Sequence, residues 1–476
     1  MADGIDPSYF AASHAGVNPV GRSVRSTVTA AVVWACVVAG GSWGELSVLR
    51  WPSLAVTVVL LSARVRGARL TCALMVASLS AGSWSWHAAA RPVTGECGGT
   101  AVVRSDPAPR AGAVSTVLEV DGRRYAVLAH GMPARRLSFR AAGDVVQVTG
   151  ACAPLRGSFA RIRRVQHVVG DMQVTNVSET WREGSRLVRA SNRLRRAVVR
   201  GAGSMPADLQ PLFAGLVMGE DRAQPAGMVA AFRASGLSHL TAVSGQNVTY
   251  LLVVLSPLWV ARGRRTRWAA TMLVLAWFCI LTRAEPSVLR ASFMAGLVAT
   301  NELRRAPANA RIVLAHTVVV LLLVDPMLAL SVGFMLSTGA TFGLAWFSRS
   351  VGRVLHGHPV LAATVAAQLG TVAVSLAFFG SVPVVSLVAN PLAVPVAGFV
   401  MTAGIPLALV GALLPWTRPA VAAVLGPCTW WIDSVARTSA AVSPHGAVNA
   451  VLWMSAVAWF ARRARRSRLR RTAVAG

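Results

Sequence analysis

The chain is 476 residues long and 54% hydrophobic but only 14% charged, well under the roughly 25% of an ordinary soluble domain. So few charges cannot cover a soluble fold of this size, which excludes that class and leaves a membrane protein with one or two water-exposed parts. Forty-seven basic residues against eighteen acidic ones give a net charge of +29, and every basic residue is Arg, a side chain that grips phosphate by two prongs and so suits a polyanion or anionic lipid.

Residues 1–25 read as a cytoplasmic N-terminal segment, and residues 26–90 as three transmembrane helices at about 26–43, 48–63 and 70–89. The first apolar run has the alternative of a cleaved signal peptide, but two further spans follow it at once, so it is read as retained. Residues 91–176 change to a β pattern. Ala113–Val120 and Arg123–Ala129 flank Asp121-Gly122, a strong hairpin signal, with further strands expected at Thr100–Arg104, Asp144–Thr149 and Arg161–Val169. Five short strands suit a small barrel, an OB-fold being the leading candidate. Cys97 and Cys152 bracket this segment on the oxidising side, so a disulfide tying the barrel's ends is expected. The chain has no Cys-x-x-Cys pair, and Cys36, Cys72, Cys279 and Cys428 read as membrane packing residues.

Residues 177–234 read as a basic amphipathic helix, spanning 179–201, and a linker at the outer membrane face. From Arg91 to Ser204 there are nineteen Arg against eight acidic residues. Arg161, Arg163 and Arg164, with Arg186, Arg189, Arg193 and Arg196 of the helix, are candidates for a phosphate-backbone track. The same charges would also hold anionic lipid headgroups. Aromatic residues are sparse in the barrel, so DNA binding there would be electrostatic, salt-sensitive and indifferent to sequence.

Nine more apolar stretches follow, at about 237–260, 268–283, 286–303, 311–324, 327–347, 360–380, 391–414, 420–442 and 447–461, and form a 235–461 transmembrane domain ahead of an Arg-rich cytoplasmic tail, 462–476. With about twelve spans and both termini in the cytoplasm, every Arg-rich short connection falls on the cytoplasmic side. The long 91–236 segment falls outside despite its charge, as long loops do. The fold class is thus a polytopic α-helical membrane protein with an extracytoplasmic all-β OB-like domain inserted after the third span, located in the cytoplasmic membrane.

The most informative stretch is Ser235-Gly-Leu-Ser-His-Leu-Thr-Ala-Val-Ser-Gly-Gln-Asn-Val-Thr-Tyr250, which packs polar groups into expected hydrocarbon. At about 100° per residue His239, Gln246, Asn247 and Tyr250 fall on one arc, while Ser244-Gly245 can break the helix. With Ser244 they are candidates to line a polar pathway; the alternative is a helix–helix hydrogen-bonding seam. Asp325-Pro326 reads as a cap of a following helix, and Pro383, Pro391, Pro395 and Pro406 around Asn390 read as broken helices. There is no phosphate-binding P-loop and no Gly-x-Ser-x-Gly elbow, so no catalytic residue, metal or cofactor is expected.

The 235–250 stretch resembles the signature of the ComEC competence family, membrane channels for DNA internalisation. Gly219-Glu-Asp-Arg222, the Pro286–Met294 segment and the Asp325–Ser337 segment stand at the family's relative positions. The resemblance implies single-stranded DNA transport across the cytoplasmic membrane during natural transformation. It implies as partners an external DNA receptor, a cytoplasmic ComFA-like motor and, for strand degradation, a separate nuclease, since no metallo-β-lactamase-like motif is present. A second copy of the chain is a further candidate partner. Many members carry Ser-Gly-Leu-His where this chain has Ser244-Gly-Gln-Asn247. Two other classes stay open: a secondary transporter of a small anionic solute, and a non-transporting membrane anchor for DNA.

Overall fold

The computed structural model describes residues 19–42, 68–89, 94–110, 112–157, 160–220, 222–241, 245–355, 358–444 and 446–456, and residues 458 and 462. The span expected at 48–63, most of the 1–25 segment, nearly all of the 462–476 tail and Ser244 lie outside the described residues. In chain order the helices are α1 (Pro19–Ser42), α2 (Ala68–Ala89), α3 (Gly131–Ser138), α4 (Ala160–Val165), α5 (Arg186–Gly201), α6 (Gln210–Met218), α7 (Ala226–Ala234) and α8 (Ser238–Thr241). They continue with α9 (Gly245–Leu255), α10 (Arg264–Leu281), α11 (Pro286–Leu303), α12 (Ala310–Val324), α13 (Val332–Leu355), α14 (Pro359–Phe379), α15 (Ser386–Leu413), α16 (Arg418–Ala441) and α17 (Gly446–Ala456). The chain divides into two compact units, residues 1–192 with 258–335, and residues 193–257 with 336–476.

The first unit holds the β domain. Its strands are β1 (Gly95–Val103), β2 (Ala108–Arg110), β3 (Ala113–Val120), β4 (Arg123–Ala129), β5 (Val145–Pro154) and β6 (Val168–Arg182). They follow the order β1-β5-β6-β4-β3-β2, and a β1–β3 pairing closes five of them into a barrel. β4 and β6 run parallel, the other pairs antiparallel, and α3 fills the connection between β4 and β5, an OB-like arrangement. Ala101, Val103, Leu118, Val120, Tyr125, Val127, Val146, Val148, Met172 and Val177 pack the interior with Leu137 of α3. Burying these apolar side chains offsets the ordering of short strands that would not persist alone.

The β3–β4 hairpin falls where the sequence places it, because Asp121 and Gly122 both hold positive φ, 49° and 73°, as the tightest right-twisted hairpin turn requires. Two expectations are corrected. Arg161–Val169 is not one strand: Ala160–Val165 is a helical turn and β6 starts at Val168. Three Arg in four residues give no apolar alternation to bury, and His167 at φ 60° redirects the chain. The basic helix begins at Arg186 rather than 179, because Trp181 and Arg182 still pair with Val146 and Val145 of β5, and that ladder occupies backbone groups a helix would need. The sixth strand, β2, adds three residues beside β3.

Polar contacts tie the barrel to the helices of its own unit. Asp106 accepts from the Ala142 amide at 2.8 Å and from Arg283 Nη2 at 3.2 Å. Arg283 Nη2 also reaches Asn192 Oδ1 at 2.6 Å, and Asn192 Nδ2 returns to the Ala142 carbonyl at 3.1 Å, closing a ring of hydrogen bonds. Asp325 caps the following 3-10 turn through the Met327 amide, as its place before Pro326 suggests, and its second oxygen meets His167 Nε2 at 3.0 Å. In the helical part, α1 and α2 approach so closely that a Cβ on Gly82 would stand 2.5 Å from the Val37 carbonyl oxygen.

The second unit is built on α6, α7, α15 and α16. Leu212, Phe213, Leu216, Phe232, Leu237, Leu240, Val400, Leu425 and Ile432 share one apolar core. Glycines let helices cross at backbone contact. A Cβ on Gly201 would lie 1.7 Å from the Ala408 carbonyl oxygen, and one on Gly343 2.0 Å from that of Ala366. Among the described residues, α14 and α15 are long and apolar enough to cross a membrane, while Ser23–Ala39, α12 and α17 are shorter apolar helices. α15 keeps its helical path through Pro391, Pro395 and Pro406, so the breaks expected there do not occur. Each proline still strips a donor from the carbonyl four residues earlier.

Candidate functional site

The signature stretch lies wholly in the second unit and contributes α8 and the start of α9; residues 242–244 between them lie outside the described residues. Gly236, at φ 75°, lets the chain enter α8 hard against Ser386 of α15: a Cβ there would be 2.6 Å from the Ser386 Cβ. Any larger residue would suffer both strain and collision. Ser238 and His239 are exposed.

On α9 the polar residues do not share one fate. Gln246 and Thr249 are exposed, Asn247 is 5% exposed, and Tyr250 is half-buried. Asn247 Nδ2 donates to the Leu216 carbonyl of α6 at 3.1 Å. The Tyr250 hydroxyl rests against Gly398 of α15, where a Cβ would meet it at 2.7 Å. The structure therefore brings His239 and Gln246 to accessible surface and gives Asn247 and Tyr250 the packing role that the seam alternative describes.

Behind this stretch, Arg195 of α5 turns inward, away from the basic face to which its sequence neighbours belong. Its Nη1 donates to the Met218 carbonyl at 3.3 Å and its Nη2 pairs with Glu220. Arg222 Nη2 meets the same carboxylate at 2.8 Å. Burial opposes ionisation of Glu220, but the two guanidiniums outweigh it and hold the carboxyl below its usual range. Gly219, left-handed at φ 67°, ends α6 and aims Glu220 into this pair.

The candidate Arg residues also separate by partner. Arg163 is paired with Asp171, Arg189 meets Glu183 at 3.2 Å, and the Arg164 guanidinium stacks over Trp86 at 5.6 Å. Arg161, Arg186, Arg193 and Arg196 are exposed, with no acidic partner among the described residues. Arg186, Arg193, Arg196 and Arg200 fall within about 80° of arc on α5 at 100° per residue. That exposed stripe can meet an anionic surface or a phosphate backbone. Cys97 and Cys152 are joined as a disulfide across the β1–β5 ladder.

Sequence reading ranked the signature stretch first but left Gln368 and Asn390 without a role and passed over Ser386. Ser386 accepts from Gln368 Nε2 at 2.6 Å, and Asn390, one turn further along α15, is 8% exposed. Gln368 was legible as a polar residue inside an expected span and Asn390 as one at the edge of the next; what was missing was the Gly236 contact that places Ser386 beside the signature. Among the described residues no group of three or more His, Cys, Asp or Glu is placed to hold a metal.

The model of the Competence protein family matches residues 216–465, which takes in the signature stretch and every helix from α9 to α16. The ComE operon protein 3 of Bacillus subtilis (strain 168) is 29% identical over 226 residues, 46% of this chain and 29% of that protein. The competence protein ComA of Neisseria gonorrhoeae is 31% identical over 219 residues, 43% of this chain and 30% of its own length. The aligned segment thus spans less than a third of either relative. No solved structure matches the chain. With more than half of its residues matched by that one family model, this chain belongs to the Competence protein family.

Proposed function

We propose that the chain is a multi-pass protein of the cytoplasmic membrane, with about twelve spans, that carries single-stranded DNA inward during natural transformation. The observation that supports this reading most is the pair His239 and Gln246, polar and accessible inside the family-matched segment. Polar side chains at such positions are costly unless they face water or a polar cargo. The exposed stripe Arg186, Arg193, Arg196 and Arg200 supports it from the DNA-collecting side. The protein serves as a conduit without a catalytic group, so a motor and an external receptor supply work and substrate, and any strand degradation falls to a nuclease activity outside the described residues.

The test is uptake of labelled double-stranded DNA into a DNase-protected form, in wild type, in a deletion strain, and in the deletion strain carrying the His239→Ala or Gln246→Ala chain at matched expression. Loss of protection on deletion, unrestored by either variant, is the expected result. Unchanged protection in the deletion strain would remove the DNA reading and bring forward the small-anion transporter. Full rescue by both variants with failure of an Arg186/Arg193/Arg196 triple substitution would favour the anchor.

A further inference from the structure

On α14, α15 and α16 the described buried side-chain polar atoms without a hydrogen-bond partner are Gln368 Oε1, Asn390 Oδ1 and Asp433 Oδ1; no hydrogen bond holds the Asn390 amide, so it is able to turn its oxygen to a guest. The orientation of Gln368 follows from chemistry. Ser386 has one hydroxyl hydrogen and gives it to the Pro383 carbonyl at 2.6 Å, so its oxygen can only accept from Gln368 Nε2, also at 2.6 Å. Gln368 therefore keeps its oxygen, not its nitrogen, for the interior. Asn390 follows Ser386 by four residues on the same face of α15.

Asp433 reaches the same level from α16. Arg418 Nε donates to the Gly411 carbonyl and Trp431 Nε1 to the Leu392 carbonyl, at 3.1 and 3.0 Å. The two helices therefore run antiparallel, and the second contact brings Asn390 and Asp433, each two residues from it, to within about a turn of the same level. Asp433 is 6% exposed, and its other oxygen takes Arg437 Nε at 2.6 Å. Between Ser386 and Asn390, the Leu387 carbonyl loses its helical donor because Pro391 has no N–H.

Buried acceptors without donors destabilise a fold, and orphaned oxygens on α15 and on the two helices packed against it call for a positive guest. One carboxylate already shared with Arg437 cannot balance a divalent ion, and the set contains no His or Cys for a transition metal. Amide and carbonyl oxygens around a single carboxylate suit a monovalent hard cation. We propose that Gln368, Asn390 and Asp433 form a binding site for a monovalent cation, whose occupancy draws α14, α15 and α16 together around one charge. The site is independent of whether DNA or a small solute crosses the membrane.

The experiment uses the full chain in lipid nanodiscs, with thermal unfolding followed in sodium, potassium and choline chloride at equal ionic strength, and a choline series at several pH values. The wild type is expected to show a saturable rise in unfolding temperature with sodium or potassium over choline. Asn390→Leu, which removes an orphaned oxygen, is expected to unfold at a higher temperature than wild type in choline and to lose the cation response. Direct ²²Na⁺ binding to wild type and Asp433→Asn serves as the second measurement, with binding expected only to the former. No cation response in wild type, an equal response in Asn390→Leu, or stabilisation that follows pH alone would each overturn the proposal. None of these readouts involves DNA, so this proposal and the transport reading fail separately.

Discussion

At the scale of single residues, the second unit separates side chains that hold the fold from polar side chains left at accessible surface. Glu220 belongs to the first kind, buried between Arg195 and Arg222. Removing one member of a buried pair leaves an uncompensated charge, so Glu220→Gln should cost about 3–5 kcal/mol of stability, read as a lower unfolding temperature. Because the folded-state carboxyl lies below its usual 4.5, this contribution is complete above about pH 4.5 and is lost as pH falls through the lower folded-state value. Wild type should therefore lose stability on acidification over that window more steeply than the variant does. Asn247 and Gln246 give a paired test. Asn247→Ala strips the donor from the buried Leu216 carbonyl and should cost about 1–3 kcal/mol, whereas Gln246→Ala should leave the unfolding temperature nearly unchanged. The sequence showed both residues as polar in an apolar run. It could not show which faced inward, because the helix that supplies the Leu216 carbonyl lies thirty-one residues earlier in a stretch that reads as a linker.

Elements were legible where local chemistry decides them. The Asp121-Gly122 turn fixes β3 and β4 because its backbone demands those residues, and the amphipathic pattern of α5 shows its basic stripe. β6 was misread because its ladder partners, β4 and β5, are distant in sequence and override the helical pattern of residues 179–182. The α5 stripe predicts a salt dependence. Each phosphate contact contributes roughly 0.7–0.9 to the slope of log affinity against log salt. Replacing Arg186, Arg193, Arg196 and Arg200 with Gln should lower the slope for single-stranded DNA by about 3, measured by fluorescence anisotropy on the full chain. An unchanged slope would move DNA contact elsewhere. The disulfide closes a loop with a sequence separation of 55, worth about 4 kcal/mol on the chain-entropy account. Cys97→Ser with Cys152→Ser should lower the unfolding temperature of the β domain, and reduction of the wild type should reproduce the effect.

At the scale of the whole molecule, composition and charge pattern point to a membrane class and set an expected topology, while the division into two units came only with the structure. Of its three cuts, one falls within α5, between Asn192 and Arg193, and one within α13, between Met335 and Leu336, where no composition shift or linker marks them; only the third, between Pro257 and Leu258, lies in a connection, that from α9 to α10. The short α6 and α7, read from sequence as part of a linker, supply much of the second unit's core because seven of nine α6 residues are buried there. The central claim is that the accessible polar residues of this unit line the route of a DNA strand. Its most direct test places a photo-crosslinking amino acid at His239 or Gln246, with Leu376 on the outer surface of α14 as control, during uptake of labelled DNA. Crosslinks to the internalised strand at 239 and 246, and none at 376, are the predicted result. Internalised DNA that crosslinks at neither 239 nor 246 would contradict the account.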